Sequence, residues 1–276
     1  MGNIRVIGPR NAGKTTYLAG LAYWHQNRNV NKGKKTLEIR PINDETEELA
    51  TKAENIILEA ADLEPTRMFT RTIDDLPSYS FQIEVKQSFK SPQTINLAAR
   101  DYPGEVFEQL ETGIQDPLHK EFMEECLTKD VEGCLILLSD WGVRTDRFYK
   151  RVFSQFLEVL DRYDRTTDLR LAIAISKCER GEIWPGRLDP ELDIFEAHLP
   201  TTTDLLKSKV AGENLQFFAM STFGVLHRTD PRPNRVEMLG ADGSRAVLRE
   251  PSKWKPYGIV DPLYWLSTGR RKEFTN

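Results

Sequence analysis

Lys14 and Thr15 close the stretch GPRNAGKT, Gly8 to Thr15, which fits the phosphate-loop pattern G-x-x-x-x-G-K-[ST] without a gap. The spacing serves phosphate chemistry. Backbone N–H groups can wrap a phosphate chain only where glycines let the backbone come close with unusual dihedrals. Lys14 then reaches the β- and γ-phosphates, and the hydroxyl of Thr15 is a ligand for Mg²⁺. The N-terminus of the helix that starts here adds a favourable dipole. Gly8, Asn11, Ala12, Gly13, Lys14, Thr15 and Thr16 are therefore the candidate phosphate contacts.

A second stretch, Arg100-Asp101-Tyr102-Pro103-Gly104-Glu105, follows the apolar run Thr94 to Ala99. Asp101 at the end of a strand can hold Mg²⁺ through water, and the backbone of Gly104 can sense a γ-phosphate. A bare D-x-x-G also describes a plain turn. What distinguishes this one is a strand before it and a phosphate loop upstream.

The elements that must position these residues are legible as periodicities. Ile4 to Ile7 reads as a first strand and Lys14 to about Gln26 as a helix with Leu18, Leu21 and Ala22 inward. LEIRPI is a short strand. Asp44 to about Ala61 is an amphipathic helix whose apolar residues Leu49, Ala53, Ile56, Ile57 and Ala60 keep helical spacing. Leu63 to Pro77 is a loop. SYSFQIEVK alternates as an edge or antiparallel strand with Phe81, Ile83 and Val85 on one face. Val106 to Lys129 is helical, broken at Gly113 and restarted at Asp116-Pro117. GCLILLSD and LRLAIAIS are uniformly apolar and read as central parallel strands flanking the helix Thr145 to about Arg162, with Phe148, Val152, Phe156, Val159 and Leu160 inward. Two helical pieces near Pro190 to His198 and Thr203 to Val210 precede the strand LQFFAMS. A β-hairpin is expected around Ala241-Asp242-Gly243, and Asp261-Pro262 starts a terminal helix.

The 276 residues suffice for one large α/β domain. A net charge of −4 argues against a nucleic-acid backbone as the main partner. Cys126, Cys134 and Cys178 form no C-x-x-C pair and read as free thiols of a reducing compartment. No apolar run spans a bilayer, and the N-terminus leads straight into the first strand, so a cytoplasmic protein is expected. Val6 stands where N-myristoylation needs Ser or Thr.

The order of strand, phosphate loop, helix, threonine-containing loop, strand ending in DYPG and further β/α steps ending in SKCE and STF resembles a Ras-like P-loop GTPase. That resemblance spans roughly Asn3 to Gly224 plus the terminal helix. It implies a single domain, 1–276, with a six-stranded, mostly parallel sheet, one antiparallel edge strand and helices on both faces. A helical insertion at about 37–62 and a hairpin insertion at about 228–256 decorate it. GTP or GDP and Mg²⁺ are the implied ligands. Ser176, Lys177 and Glu179 fall where the guanine-specifying N/T-K-x-D motif sits, and Ser221 and Thr222 match the last base-contacting loop. Glu179 offers the carboxylate fork that accepts from N1–H and N2–H₂ of guanine, on a stem one methylene longer. Ser176, in place of an amide or threonine, is expected to lose contacts that tie this loop to the phosphate loop.

The resemblance also implies a threonine that completes the Mg²⁺ shell in the first switch; Thr66 is the choice, with Thr70 and Thr72 as rivals. Glu105 stands where many relatives carry a water-orienting glutamine, so slow intrinsic hydrolysis is expected. Arg10 stands beside the γ-phosphate position, as a stabiliser supplied in cis or as a group facing solvent or a partner. GPRNAGKTTYLAGLAYW, DYPGE and VDPLYWL look most like the bacterial paired "double-GTPase" group of conflict systems, and the DYPG turn is similar to that of Rag-type GTPases. A second GTPase subunit is the implied partner.

Overall fold

The computed structural model describes residues 3–26, 37–59, 76–87, 90–100, 102–113, 115–237, 246–271 and 274. Strand β1 (Asn3–Ile7) runs into the phosphate loop and then into helix α1 (Lys14–Gln26). β2 (Leu37–Pro41), α2 (Asp44–Glu59), β3 (Ser78–Gln87) and β4 (Lys90–Arg100) follow. Next come α3 (Gly104–Gln109), α4 (Pro117–Cys126), β5 (Val131–Leu138), α5 (Val143–Arg162) and β6 (Arg170–Ile175). A π-helical segment, Glu191–Glu196, precedes α6 (Pro200–Lys209) and β7 (Leu215–Ala219).

The strands do not make the expected six-stranded sheet with one antiparallel edge. Four parallel strands pair in the order β1-β5-β6-β7, and a separate three-stranded antiparallel sheet has the order β2-β3-β4. β4 lies beside β1, and Arg5 Nη1 reaches the Ala98 carbonyl at 3.4 Å. The division follows the patterning. β5 and β6 are buried along nearly their whole length, as strands covered on both faces must be, whereas β3 buries Phe81, Ile83 and Val85 and leaves Gln82 and Glu84 half-exposed.

The parallel sheet separates two apolar layers. α1 and helix α7 (Asp261–Thr268) cover one face, with α2 packed on α1 and on the antiparallel sheet; α3 to α6 cover the other. α5 buries Tyr149, Val152, Phe153, Phe156, Leu157 and Leu160, so its inward stripe is rotated from the expected one, and Phe148 and Val159 are only partly buried. Asp146, inside α5, accepts from the Thr201 and Thr202 backbone N–H groups at 3.0 and 2.9 Å and so caps the first turn of α6. These bonds hold its carboxyl below the usual range against the opposing effect of burial.

Two small hairpins precede α7: β8 (Val225–His227) with β9 (Asp230–Pro233), which the patterning gave no sign of, and β10 (Arg235–Glu237) with β11 (Ala246–Leu248). The second matches the expected hairpin, although its turn, Ala241-Asp242-Gly243, lies outside the described residues. Trp254 follows β11 and packs edge-on against Tyr23 of α1, with ring centroids 4.8 Å apart. Among the described residues, no helix is long and apolar enough to cross a membrane.

Candidate functional site

The phosphate loop joins the carboxyl end of β1 to the first turn of α1. Gly8 is held against the central strand: its φ is +152°, and a Cβ there would lie 2.3 Å from the Leu137 carbonyl oxygen. No side chain fits at that position. Asn11 and Gly13 take positive φ as well, at 58° and 82°, which curls the loop around its own centre. Into that centre points Lys14, buried, with Nζ donating to the carbonyls of Gly8 at 2.9 Å and Pro9 at 3.0 Å. Thr15 and Thr16 follow in the first helical turn, both half-buried.

Ser176 corrects one expectation. Its Oγ donates to the Ala12 carbonyl at 2.7 Å, so the serine keeps the tie between the SKCE loop and the phosphate loop that the substitution seemed to remove. Lys177 adopts φ 55°, and its Cε would lie 3.9 Å from a Cβ at Gly13, so its stem covers the phosphate loop. Burial, with repulsion from Arg235 and Arg180, lowers its pKa to about 8. The bonds from Cys178 N to Met220 O (3.1 Å) and from Met220 N to Ile175 O (2.9 Å) bring the Ser221-Thr222 loop alongside. Ser221 Oγ accepts from Gly224 N at 2.7 Å, and the Thr222 carbonyl accepts from Trp254 Nε1 at 2.8 Å.

Glu179 sits at the meeting point of these loops with its side chain only 1% exposed, and neither carboxylate oxygen has a hydrogen-bond partner among the described residues. Burial pushes its pKa above the usual carboxylate range, while the nearby Ser221 hydroxyl and the charges of Arg235 and Arg180 pull the other way. Arg235, the first residue of β10, approaches it with Nη1 3.8 Å from Oε1. Sequence patterning gave no hint of this arginine, because the contact spans 56 positions and depends on how the hairpin folds back.

The segment from Tyr102 to Gly104 lies on the other side of the phosphate loop. Tyr102 and Pro103 are buried, and α3 begins at Gly104 against Pro9 and Arg10; a Cβ on Gly104 would fall 2.2 Å from Arg10 N. Arg10 N donates to Glu108 Oε1 at 2.8 Å, and the guanidinium pairs with Glu105 at 2.8 Å and with Glu108 at 3.6 Å. Arg10 therefore pairs with α3, which none of the expected roles included, and Glu105, the candidate water-orienting residue, is its ion-pair partner. Glu108 was not expected to take part. Asp101, Thr66, Thr70 and Thr72 lie outside the described residues.

No family model matches the chain, and no curated protein matches it. Among solved structures it is similar to the signal recognition particle receptor SRb-GTP/SRX complex from Chaetomium thermophilum, at 13% identity and TM-score 0.41, over 81% of this chain and 92% of that one. It is also similar to Sup35 complexed with GDP, at 9% identity and TM-score 0.32, over 80% of this chain and 37% of that one. Both likenesses are too slight to assign a ligand or an activity.

Proposed function

We propose that the chain is a guanine-nucleotide switch that binds GTP and hydrolyses it to GDP and phosphate, slowly without a partner. The observation that best supports this reading is the bond from Ser176 Oγ to the Ala12 carbonyl, because it joins a phosphate cradle to a loop carrying a buried, unsatisfied carboxylate fork. Phosphates and a base with two adjacent N–H donors together satisfy both halves.

In this reading the backbone of Gly8 to Gly13 wraps the phosphates and Lys14 turns from the Gly8 and Pro9 carbonyls to the β- and γ-oxygens. The Thr15 hydroxyl, a hard oxygen donor beside Lys14, fits Mg²⁺, which binds few protein ligands together with water and phosphate oxygens. Asp101 and Thr66 are the other proposed ligands. When bound, the ion neutralises charge that develops as water attacks the γ-phosphorus and the bond to the β-phosphate oxygen breaks. Glu179 accepts from N1–H and N2–H₂ of the base, and Ser221 and Thr222 line its edge.

The resemblance to paired bacterial GTPases supports a second GTPase subunit as partner, in a cytoplasmic conflict or signalling system. A second reading is a nucleotide-binding scaffold with little hydrolysis. The Arg10–Glu105 pair at 2.8 Å favours it, because a carboxylate held by the loop arginine is withdrawn from a water nucleophile. Single-turnover hydrolysis with and without a co-purifying subunit separates the two: a scaffold keeps its nucleotide intact in both. The nucleotide released from purified protein tests the primary reading. Guanine nucleotide from wild type and none from Lys14→Ala is the expected result; adenine nucleotide from wild type sinks it.

A further inference from the structure

The hairpin brings a buried cation to the same point as the buried carboxylate. Side-chain exposure is 6% for Arg235 and 1% for Glu179, and their closest approach, 3.8 Å, is too long for the charge-assisted hydrogen bond that two buried partners would make if they served only each other. Arg235 also lies 3.3 Å from Glu237 on its own strand, so its guanidinium is held between two carboxylates rather than locked on one. Glu179, by contrast, has no hydrogen-bond partner for either oxygen among the described residues, a costly arrangement in a buried position unless a ligand completes it.

The charge order of the pair matches one purine. Along one side guanine presents N2–H₂ and N1–H donors, followed by the O6 and N7 acceptors. A carboxylate suits the first part and a planar guanidinium fork the second. Adenine reverses the order, with an N6–H₂ donor where guanine has O6, so it meets like with like at both groups.

Building on the guanine-nucleotide reading above, we propose that Arg235 is a second base-specificity residue, donating to O6 and N7 of guanine while Glu179 takes the N1–H and N2–H₂ donors. The start of β10, at Arg235, is then part of the nucleotide site rather than a surface decoration. Because Glu179 is covered with Arg235 in place, the base reaches it only when β10 yields, and the strand then closes along the base edge.

The test uses the full chain, stripped of nucleotide, with titrations of GDP, ADP and 7-deaza-GDP, which lacks the N7 acceptor. Wild type is expected to favour GDP over ADP and to bind 7-deaza-GDP about tenfold more weakly than GDP, the worth of a hydrogen bond to a charged group. Arg235→Ala is expected to lose about ten- to a hundredfold in GDP affinity and to bind GDP and 7-deaza-GDP alike. Arg235→Lys keeps the charge without the fork and should also close that gap, which covers the case in which the alanine variant fails to fold. Val236→Ser, on the same strand and 40% exposed, should leave all three affinities unchanged. A wild-type preference for GDP over ADP that persists in Arg235→Ala, with the 7-deaza gap intact or with every nucleotide bound more tightly, overturns the role of Arg235 alone. Equal binding of GDP and ADP by wild type overturns the guanine reading and this inference together.

Discussion

Gly104→Ala isolates the contact between the start of α3 and the phosphate loop. A Cβ at this position would lie 2.2 Å from Arg10 N, 2.5 Å from Arg10 Cα and 2.6 Å from Pro9 C, all backbone atoms that cannot rotate away. To reach even 3.0 Å, α3 or the loop must shift by about 0.8 Å. Overpacking of this kind costs about 1–3 kcal/mol. The ion pairs of Arg10 with Glu105 and Glu108 cannot hold α3 against it, since Arg10 is 59% exposed and such pairs contribute about 0–1 kcal/mol each. Burial of Val106 and Phe107 is worth more, about 1.5–3 kcal/mol per side chain, so the helix should slide and stay docked rather than detach. The expected outcome is a Tm lower by about 2–6 °C with faster amide exchange over 104–110. GDP affinity should stay within about twofold of wild type, because Lys14, Ser176 and Glu179 are untouched, while GTP hydrolysis falls. Unchanged Tm and exchange would show that the helix does not rest on the loop. A loss of GDP binding as complete as that of Lys14→Ala would show that α3 is itself part of the phosphate cradle, contrary to the geometry.

Ser176→Ala removes a buried bond and leaves the Ala12 carbonyl without that donor; a stability loss of about 1–3 kcal/mol by denaturant unfolding, with weaker GDP binding, is expected, and unchanged values would reject the tie. Lys177 has a pKa lowered to about 8 by burial first and by Arg235 and Arg180 next, against an unfolded value of 10.5, so its charge costs stability at neutral pH and the cost fades as pH rises from 8 to 10.5. Lys177→Met should therefore raise the Tm of nucleotide-free protein at pH 7, with the advantage shrinking across that window; a constant difference would mean the lysine is not desolvated. Glu179 has its pKa raised by burial, so acidification from neutral protonates it before an ordinary carboxyl and stabilises the empty protein while removing the acceptor that guanine needs. GDP affinity should fall toward acid pH in wild type, and Glu179→Gln should bind weakly with a flatter profile; identical profiles would remove Glu179 from the base site.

What the sequence disclosed follows from how local each signal is. GPRNAGKT, the span of α1, the break between α3 and α4 at Gly113 and the apolar strands β5, β6 and β7 were all readable, because each is set by residues within a few positions of one another. The pairing of β2 with β3 was not. β2, β3 and β4 close into their own antiparallel sheet through partners as distant as Leu37 and Val85, which alternation along one strand cannot specify. The stripe on α5 is rotated from the expected one because Phe148 and Val159 are as apolar as the residues that turn inward. At the site, residue types identified Lys14 and Glu179, but not that Ser176 would bond Ala12, that Arg10 would turn to α3, or that a hairpin 56 residues further on would deliver Arg235 to Glu179.

Trp254 gives the molecule an optical handle. Its indole N–H is bonded to the carbonyl of Thr222, in the proposed base loop, while its ring meets Tyr23 on the helix that starts at the phosphate loop. An indole whose N–H partner and ring neighbour sit on two different elements changes emission when either moves. If the proposed function holds, excitation of the native protein should follow nucleotide entry and release in real time without any label, and Trp254→Phe should identify which part of the signal is its own.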